Sequence, residues 1–204
     1  MPIVKRLRIT AWAGPAAACV LFVTGCATHK PIPNTYLDKS HHAKLVVQNV
    51  PPAPAMRDSG QGGIVGAIIT ATSRTSNMQK KLAGVHGDEV QTAFTQAFEK
   101  LMAEHLTVGD FDGELRLVVN IDSWGWYVPT TSFGIKVGDY ECQIIGRIDV
   151  FDPNDKKVAF AKIRVAEPLG SKPEEDGARK AVTEVAERFA TMAEKALVHL
   201  PKGS

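Results

Sequence analysis

Three cysteines, six histidines and a scatter of carboxylates are the side chains of this 204-residue chain with the means for covalent or metal chemistry. Cys142 would need a base within hydrogen-bond reach to act as a thiolate nucleophile. Its position points elsewhere. Tyr140, Cys142, Ile144, Ile148 and Val150 recur at even positions of an alternating stretch, so Cys142 is expected inside, as a small core residue. His41 and His42 carry imidazoles, yet no carboxylate or thiol follows at ligand spacing, which favours ordinary surface histidines over a metal site. His86, His105 and His199 are scattered along or beside helical stretches. Asp110, Asp112, Glu114 and Asp122 lack the spacing of a calcium loop and read as a solvated turn. The glycines at 60–66 lack the Lys-Ser/Thr of a phosphate cradle, and neither G-x-S-x-G nor H-E-x-x-H occurs. No catalytic residue, no metal ligand and no cofactor site is expected, and the chain is read as not an enzyme.

Cys26 stands in a different context. Lys5, Arg6 and Arg8 precede an apolar run at 11–23 broken by Gly14 and Pro15, and small residues then lead to Val23-Thr24-Gly25-Cys26. A basic start, a short apolar centre and a small-residue exit make a secretion signal over residues 1–25. The run falls short of the roughly 20 residues that a spanning helix needs. Val23-Thr24-Gly25-Cys26 resembles the lipobox of bacterial lipoproteins. That resemblance implies diacylglyceryl transfer to the Cys26 thiol, cleavage after Gly25, and acylation, by palmitate for example, of the new amino group. Two or three acyl chains hold a protein to a membrane far more firmly than one. Ala27 in place of Asp after the cysteine implies, by the same resemblance, sorting to the outer membrane with the domain in the periplasm.

Loss of the signal changes the charge. Three of the 24 basic residues and none of the 22 acidic ones precede Cys26, leaving 21 against 22. A nucleic-acid surface needs clustered positive charge in excess, so none is expected. Cys19 leaves with the signal and Cys26 is consumed, so Cys142 has no partner for an internal disulfide. The remaining length suits one domain and a tether.

Residues 26–43, with Pro31, Pro33 and Asn34, read as lipidated N-terminus and flexible tether, residues 44–200 as a single domain, and 201–204 as a tail. A short β-branched run at 44–50 stops at Pro51-Pro52 and predicts a first strand. Asp88 and Gln91 mark a capping-box-like helix start, followed by Val90, Phe94, Ala97, Phe98 and Leu101 on one stripe, with Gly109 as the stop. Alternating residues predict strands at 114–127, 140–151 and 158–165, the last two joined by Asp152-Pro153-Asn154-Asp155. Ser171 and Glu174 cap a final helix whose stripe is Val182, Val185, Phe189, Ala193, Ala196 and Leu200. The order is β-α-β-β-β-α. It predicts an α+β fold, a four-stranded, mainly antiparallel sheet with two helices on one face.

Two features invite a contact role. Simple alternation puts Trp124 and Trp126 on the face of Asn120 and Asp122, opposite the aliphatic stripe, where paired aromatics beside Tyr127 would make a partner-binding surface. A fold-over of the first helix or of the 130–137 loop would instead make them core. The segment 62–72 is apolar and glycine-rich, with Gly62, Gly66, Ile68 and Ile69 spaced for close packing, but about half the length of a bilayer span. It suits buried structure, a membrane-dipping element or a packing seam. From Lys44 to Leu200 the element order resembles that of small outer-membrane lipoproteins of the LPS-assembly-lipoprotein-E type and of the N-terminal domain of the translocation protein TolB; the glycine-rich 62–72 insertion departs from the former. The lack of a catalytic cluster, with the paired tryptophans and the apolar glycine segment, predicts a non-enzymatic binding or assembly accessory, held to the membrane through its N-terminal lipid and contacting an envelope protein. The alternatives are a lipid or glycolipid carrier, with a cavity between helices and sheet, and a periplasmic enzyme.

Overall fold

The computed structural model describes residues 26–58, 84–128, 130–132, 135–137, 140–168 and 175–198. Nine strands and two long helices follow in the order β1 (Cys26–Lys30), β2 (His42–Gln48), β3 (Ala55–Asp58), α1 (Gly87–Met102), β4 (Thr107–Gly109), β5 (Leu115–Val128), β6 (Thr130–Ser132), β7 (Ile135–Val137), β8 (Glu141–Phe151), β9 (Lys157–Pro168) and α2 (Glu175–Val198). A single 3-10 turn at Asn34–Tyr36 separates β1 from β2.

The sheet exceeds its expected four strands. Seven pair into one sheet in the order β1-β9-β8-β5-β2-β4, with β3 on β5 beyond the end of β2, and β6 and β7 form a separate two-stranded ribbon. Pairing is mixed: β5, β8, β9 and β1 run antiparallel, whereas β2 is parallel to both β4 and β5, and β3 is parallel to β5. Parallel pairing follows from connectivity. The chain leaves β2, crosses through α1 and returns as β4 beside it, and a crossover of that kind joins parallel strands. β5 and β8, by contrast, are consecutive arms of one long antiparallel pair.

The stretch 26–43, expected as a tether, is bound to the domain. Cys26–Lys30 pairs along its length with β9, Ile32 is 2% exposed, and the Ile32 amide donates to the Leu197 carbonyl at the end of α2 at 2.7 Å. Tyr36 and Leu37 pack against the core. Backbone pairing with an open edge strand supplies the order that this polar sequence does not advertise.

Both helices lie on one face of the sheet, packed on each other, with α2 over β8 and β9. The α1 start lies two residues earlier than the spacing suggested. His86 is the N-cap, and the Glu89 carboxylate accepts from the His86 amide at 3.4 Å while Arg179 of α2 donates to the same carboxylate at 2.5 Å. The helix ends at Met102, so that residues 107–109 are free to form β4. Val90, Phe94 and Phe98 of α1 meet Val182, Val185, Phe189 and Ala193 of α2 in the core, with Phe94 stacked on Phe98 at 5.2 Å and edge-on to Phe189 at 5.5 Å. Burial of three such rings is the largest apolar contribution the helices make. The expected cap at Ser171 and Glu174, and Leu200, lie outside the described residues.

Candidate functional site

β5 decides which side chains meet solvent. Its partners on β8 run Leu117 to Val150, Val119 to Ile148 and Ile121 to Gly146, after which the register shifts and Ser123 faces Ile145. Asp122 is therefore the extra residue of a β-bulge, and an extra residue inverts the faces of everything after it. Trp124 then stands opposite Ile144, and Trp126 opposite Cys142. Both indoles pass to the helix-covered side, at 2% and 1% exposure, with ring centroids 5.9 Å apart. This corrects the alternation reading of Trp124 and Trp126 as a partner-binding surface: they are core. The core alternative holds: the bulge turns both indoles to the helix-covered face.

The two indoles differ in their polar edges. Trp124 Nε1 donates to the Pro51 carbonyl at 2.6 Å, tying β5 to the chain just before β3. Trp126 Nε1 is buried with no hydrogen-bond partner among the described residues. Between them Gly125 has φ +146, and a Cβ there would stand 1.9 Å from the Ala55 carbonyl oxygen of β3. Only glycine admits β3 this close. Tyr127, the third residue of the expected patch, is half-exposed and opposite Glu141 on β8. Gly62, Gly66, Ile68 and Ile69 lie outside the described residues.

The sequence clue to the bulge is a change of parity. Large apolar residues fall on odd positions from Leu115 to Ile121 and on even positions at Trp124 and Trp126, while the partner strand keeps even positions from Cys142 to Val150. One strand cannot serve one face with both parities unless a residue is inserted between them.

Cys142 is fully buried, and burial pushes its thiol up to about 12. Such a thiol stays protonated at physiological pH and is no nucleophile. The histidines take structural partners. His41 pairs with Glu114, His42 packs edge-on to Phe111 at 5.5 Å, and His105 Nε2 meets Glu194 at 3.1 Å. Lys44 reaches Asp112 at 3.2 Å. Among the described residues no group of three or more His, Cys, Asp or Glu side chains is placed to hold a metal ion.

The space between helices and sheet, where a carrier would keep its cavity, is filled by Phe94, Phe98, Phe189, Trp124 and Trp126. A groove of about 750 Å³ runs instead along the outer side of the helices, between Ala93 and Ala97 of α1 and Thr183 and Thr191 of α2. A second depression, about 290 Å³, lies on the helix-free side of the sheet, lined by Thr28, Asp122, Ile145, Arg147, Lys162 and Arg164. Through Thr28 it reaches β1, where Cys26 is the register partner of Arg164 and Thr28 of Lys162. No described helix is long and apolar enough to cross a membrane.

No protein-family model matches this chain, and no curated protein matches it in sequence. Solved structures with a similar arrangement of elements include PelC from Paraburkholderia phytofirmans, solved as a dodecamer, at TM-score 0.44 and 10% identity, over 87% of this chain and 100% of that one. Protein XCC0632 from Xanthomonas campestris matches at TM-score 0.46 and 15% identity over 82% of this chain and 87% of its own. An uncharacterised lipoprotein B from Nitrosomonas europaea matches at TM-score 0.33 and 9% identity, over 78% and 91%.

Proposed function

We propose that this chain is a lipid-anchored lipoprotein of the bacterial cell envelope, held in the outer membrane by Cys26 with its domain in the periplasm. There it serves as a non-enzymatic binding or assembly accessory to an envelope protein. The observation that carries the reading is the place of Val23-Thr24-Gly25-Cys26. Cys26 is both the last residue of that sequence and the first residue of β1, so cleavage before it leaves every described element intact. A basic start, an apolar run too short to span and small residues before the cysteine support export followed by lipidation. Acyl chains on Cys26 then fix the β1 edge of the sheet at the membrane, since β1 is paired to β9 and leaves no slack. Burial of Cys142 removes the one thiol that remains after processing from covalent chemistry.

Fractionation of wild type beside Cys26→Ala tests the anchor. Wild type is expected to float with outer membrane and the variant to leave it; a variant that floats as wild type does overturns lipid anchoring at Cys26. The accessory role is tested by crosslinking from a photoreactive residue at Tyr127, the accessible member of the aromatic set. Reproducible capture of one envelope protein supports it. Adducts with lipid alone overturn the role given to that residue.

A further inference from the structure

The helix-free side of the sheet carries an arrangement that costs the fold stability. Arg147 on β8 and Lys162 on β9 are direct cross-strand partners, and Arg164 on β9 lies diagonally from Arg147, opposite Ile145. Like charges directly opposite one another destabilise a strand pair. All three side chains are exposed. The carboxylates nearby cancel them only in part. Asp149 is held by Lys157 at 2.9 Å and lies 3.8 Å from Arg147, and Asp122 on the bulge is the one acid lining their shared depression. Arg164 turns to the Gln143 side-chain oxygen at 3.4 Å. Three cations against one acid in a depression of about 290 Å³ form a site for negative charge.

The register identifies the source of that charge. Cys26 is the Cα partner of Arg164 on the adjoining strand, and Thr28, two residues on, is the partner of Lys162 and lines the depression. Neighbouring strands lie roughly 4.8 Å apart, so an acyl-bearing Cys26 would bring the headgroup layer to the rim of the basic cluster. Clustered Lys and Arg beside a lipid anchor are attracted to anionic headgroups within about a Debye length. We infer that the helix-free face of the sheet, through Arg147, Lys162 and Arg164, lies against the anionic phospholipid headgroups of the leaflet that holds the Cys26 acyl chains. The inference rests on the anchor proposed above. It sets which way the domain faces: helices away from the bilayer, with their outer groove free for a protein.

The test uses protein purified from the membranes of cells expressing the full chain, returned to vesicles of phosphatidylcholine alone or mixed with phosphatidylglycerol. A water-soluble amine-acylating reagent is applied and the modified lysines are read by mass spectrometry. Lys162 is expected to react about fivefold more slowly on the anionic vesicles than on the zwitterionic ones, the factor that one cation's attraction to such a surface corresponds to. Lys180 on the exposed side of α2 should react equally on both. Protection of Lys162 should vanish in about 1 M salt, where the Debye length is roughly 3 Å. It should vanish as well in an Arg147→Glu, Arg164→Glu variant that melts as wild type does. Failure of wild type to float with any vesicle overturns the anchor, and this inference with it. Flotation with Lys162 as reactive as Lys180 leaves the anchor standing and overturns the orientation alone. Protection that appears without vesicles and grows with protein concentration assigns the face to a second copy of the chain and likewise overturns it.

Discussion

The two faces of one sheet are built on opposite rules. On the helix-covered face, β5 and β8 present Leu117, Val119, Ile121, Trp124 and Trp126 against Cys142, Ile144, Ile148 and Val150, all at 2% exposure or less. On the other face the same strands present Arg116, Asn120 and Ser123 against Gln143, Ile145, Arg147 and Asp149. Two of the polar residues there are paired locally, Arg116 with Asp155 at 2.6 Å and Asn120 with Asn49 at 2.9 Å. The covered face holds the fold together, and the open face is free to hold charge that the fold does not need. Asp122 is where the assignment of odd and even positions to those faces changes over.

Emptying the tryptophan half of the covered face is the most severe way to break the contrast. Deleting Asp122 would not do so: Ile121–Gly146 and Ser123–Ile145 would then follow one another directly, every other pair would stay in place, and a native melting transition is expected. Loss of one buried Trp is worth about 3–5 kcal/mol, and Trp124→Ala with Trp126→Ala removes two. That is a large part of the about 5–15 kcal/mol that stabilises an ordinary domain. The double variant is expected to lose its cooperative far-ultraviolet melting transition altogether. Retention of a native transition would mean that the indoles are not what holds this end of the covered face together.

Much of this was legible beforehand where side chains repeat over many residues. The even positions of β8, the stripe of α2 and the Phe94–Phe98 seam of α1 each repeat over several turns or pleats, so the period declares itself. β1 and β4 were not legible, because five and three residues are too few for a period and their order comes from backbone pairing. The tryptophans were misassigned because a period of two, extended past Asn120, carries no mark of an inserted residue; the mark is in the parity of the residues beyond it. Of the candidate site, the cysteine and its small-residue lead were plain in the sequence. The Arg147–Lys162 opposition was not, since it needs the β8–β9 register.

A finer contrast lies inside the covered face, between the two indoles. Trp124→Phe removes the donor that serves the Pro51 carbonyl, and an acceptor left without its partner costs about 1–3 kcal/mol beyond the change in volume. Trp126→Phe removes an Nε1 that has no partner among the described residues, so it carries the volume cost alone. Chemical denaturation of the two variants should place Trp124→Phe below Trp126→Phe in stability, with equal m-values. The reverse order would assign Trp126 Nε1 a partner outside the described residues and make it the more important tie.

The mildest probe of the covered face is pH, through Cys142. Burial raises its thiol from an ordinary value near 9.0 to about 12, so the folded state keeps the proton where the unfolded chain has released it. Stability from this group is whole below the unfolded value and drains as pH rises from there towards the folded value. The slope is about 1.4 kcal/mol per pH unit, because the unfolded state binds one proton fewer across that window. Cys142→Ala removes the titration together with the sulfur: its stability starts lower at neutral pH and declines less steeply above pH 9.0. The two stability curves should therefore converge as pH is raised. Parallel curves would mean that the unfolded and folded thiols titrate alike, and that the face beneath the helices admits water to Cys142.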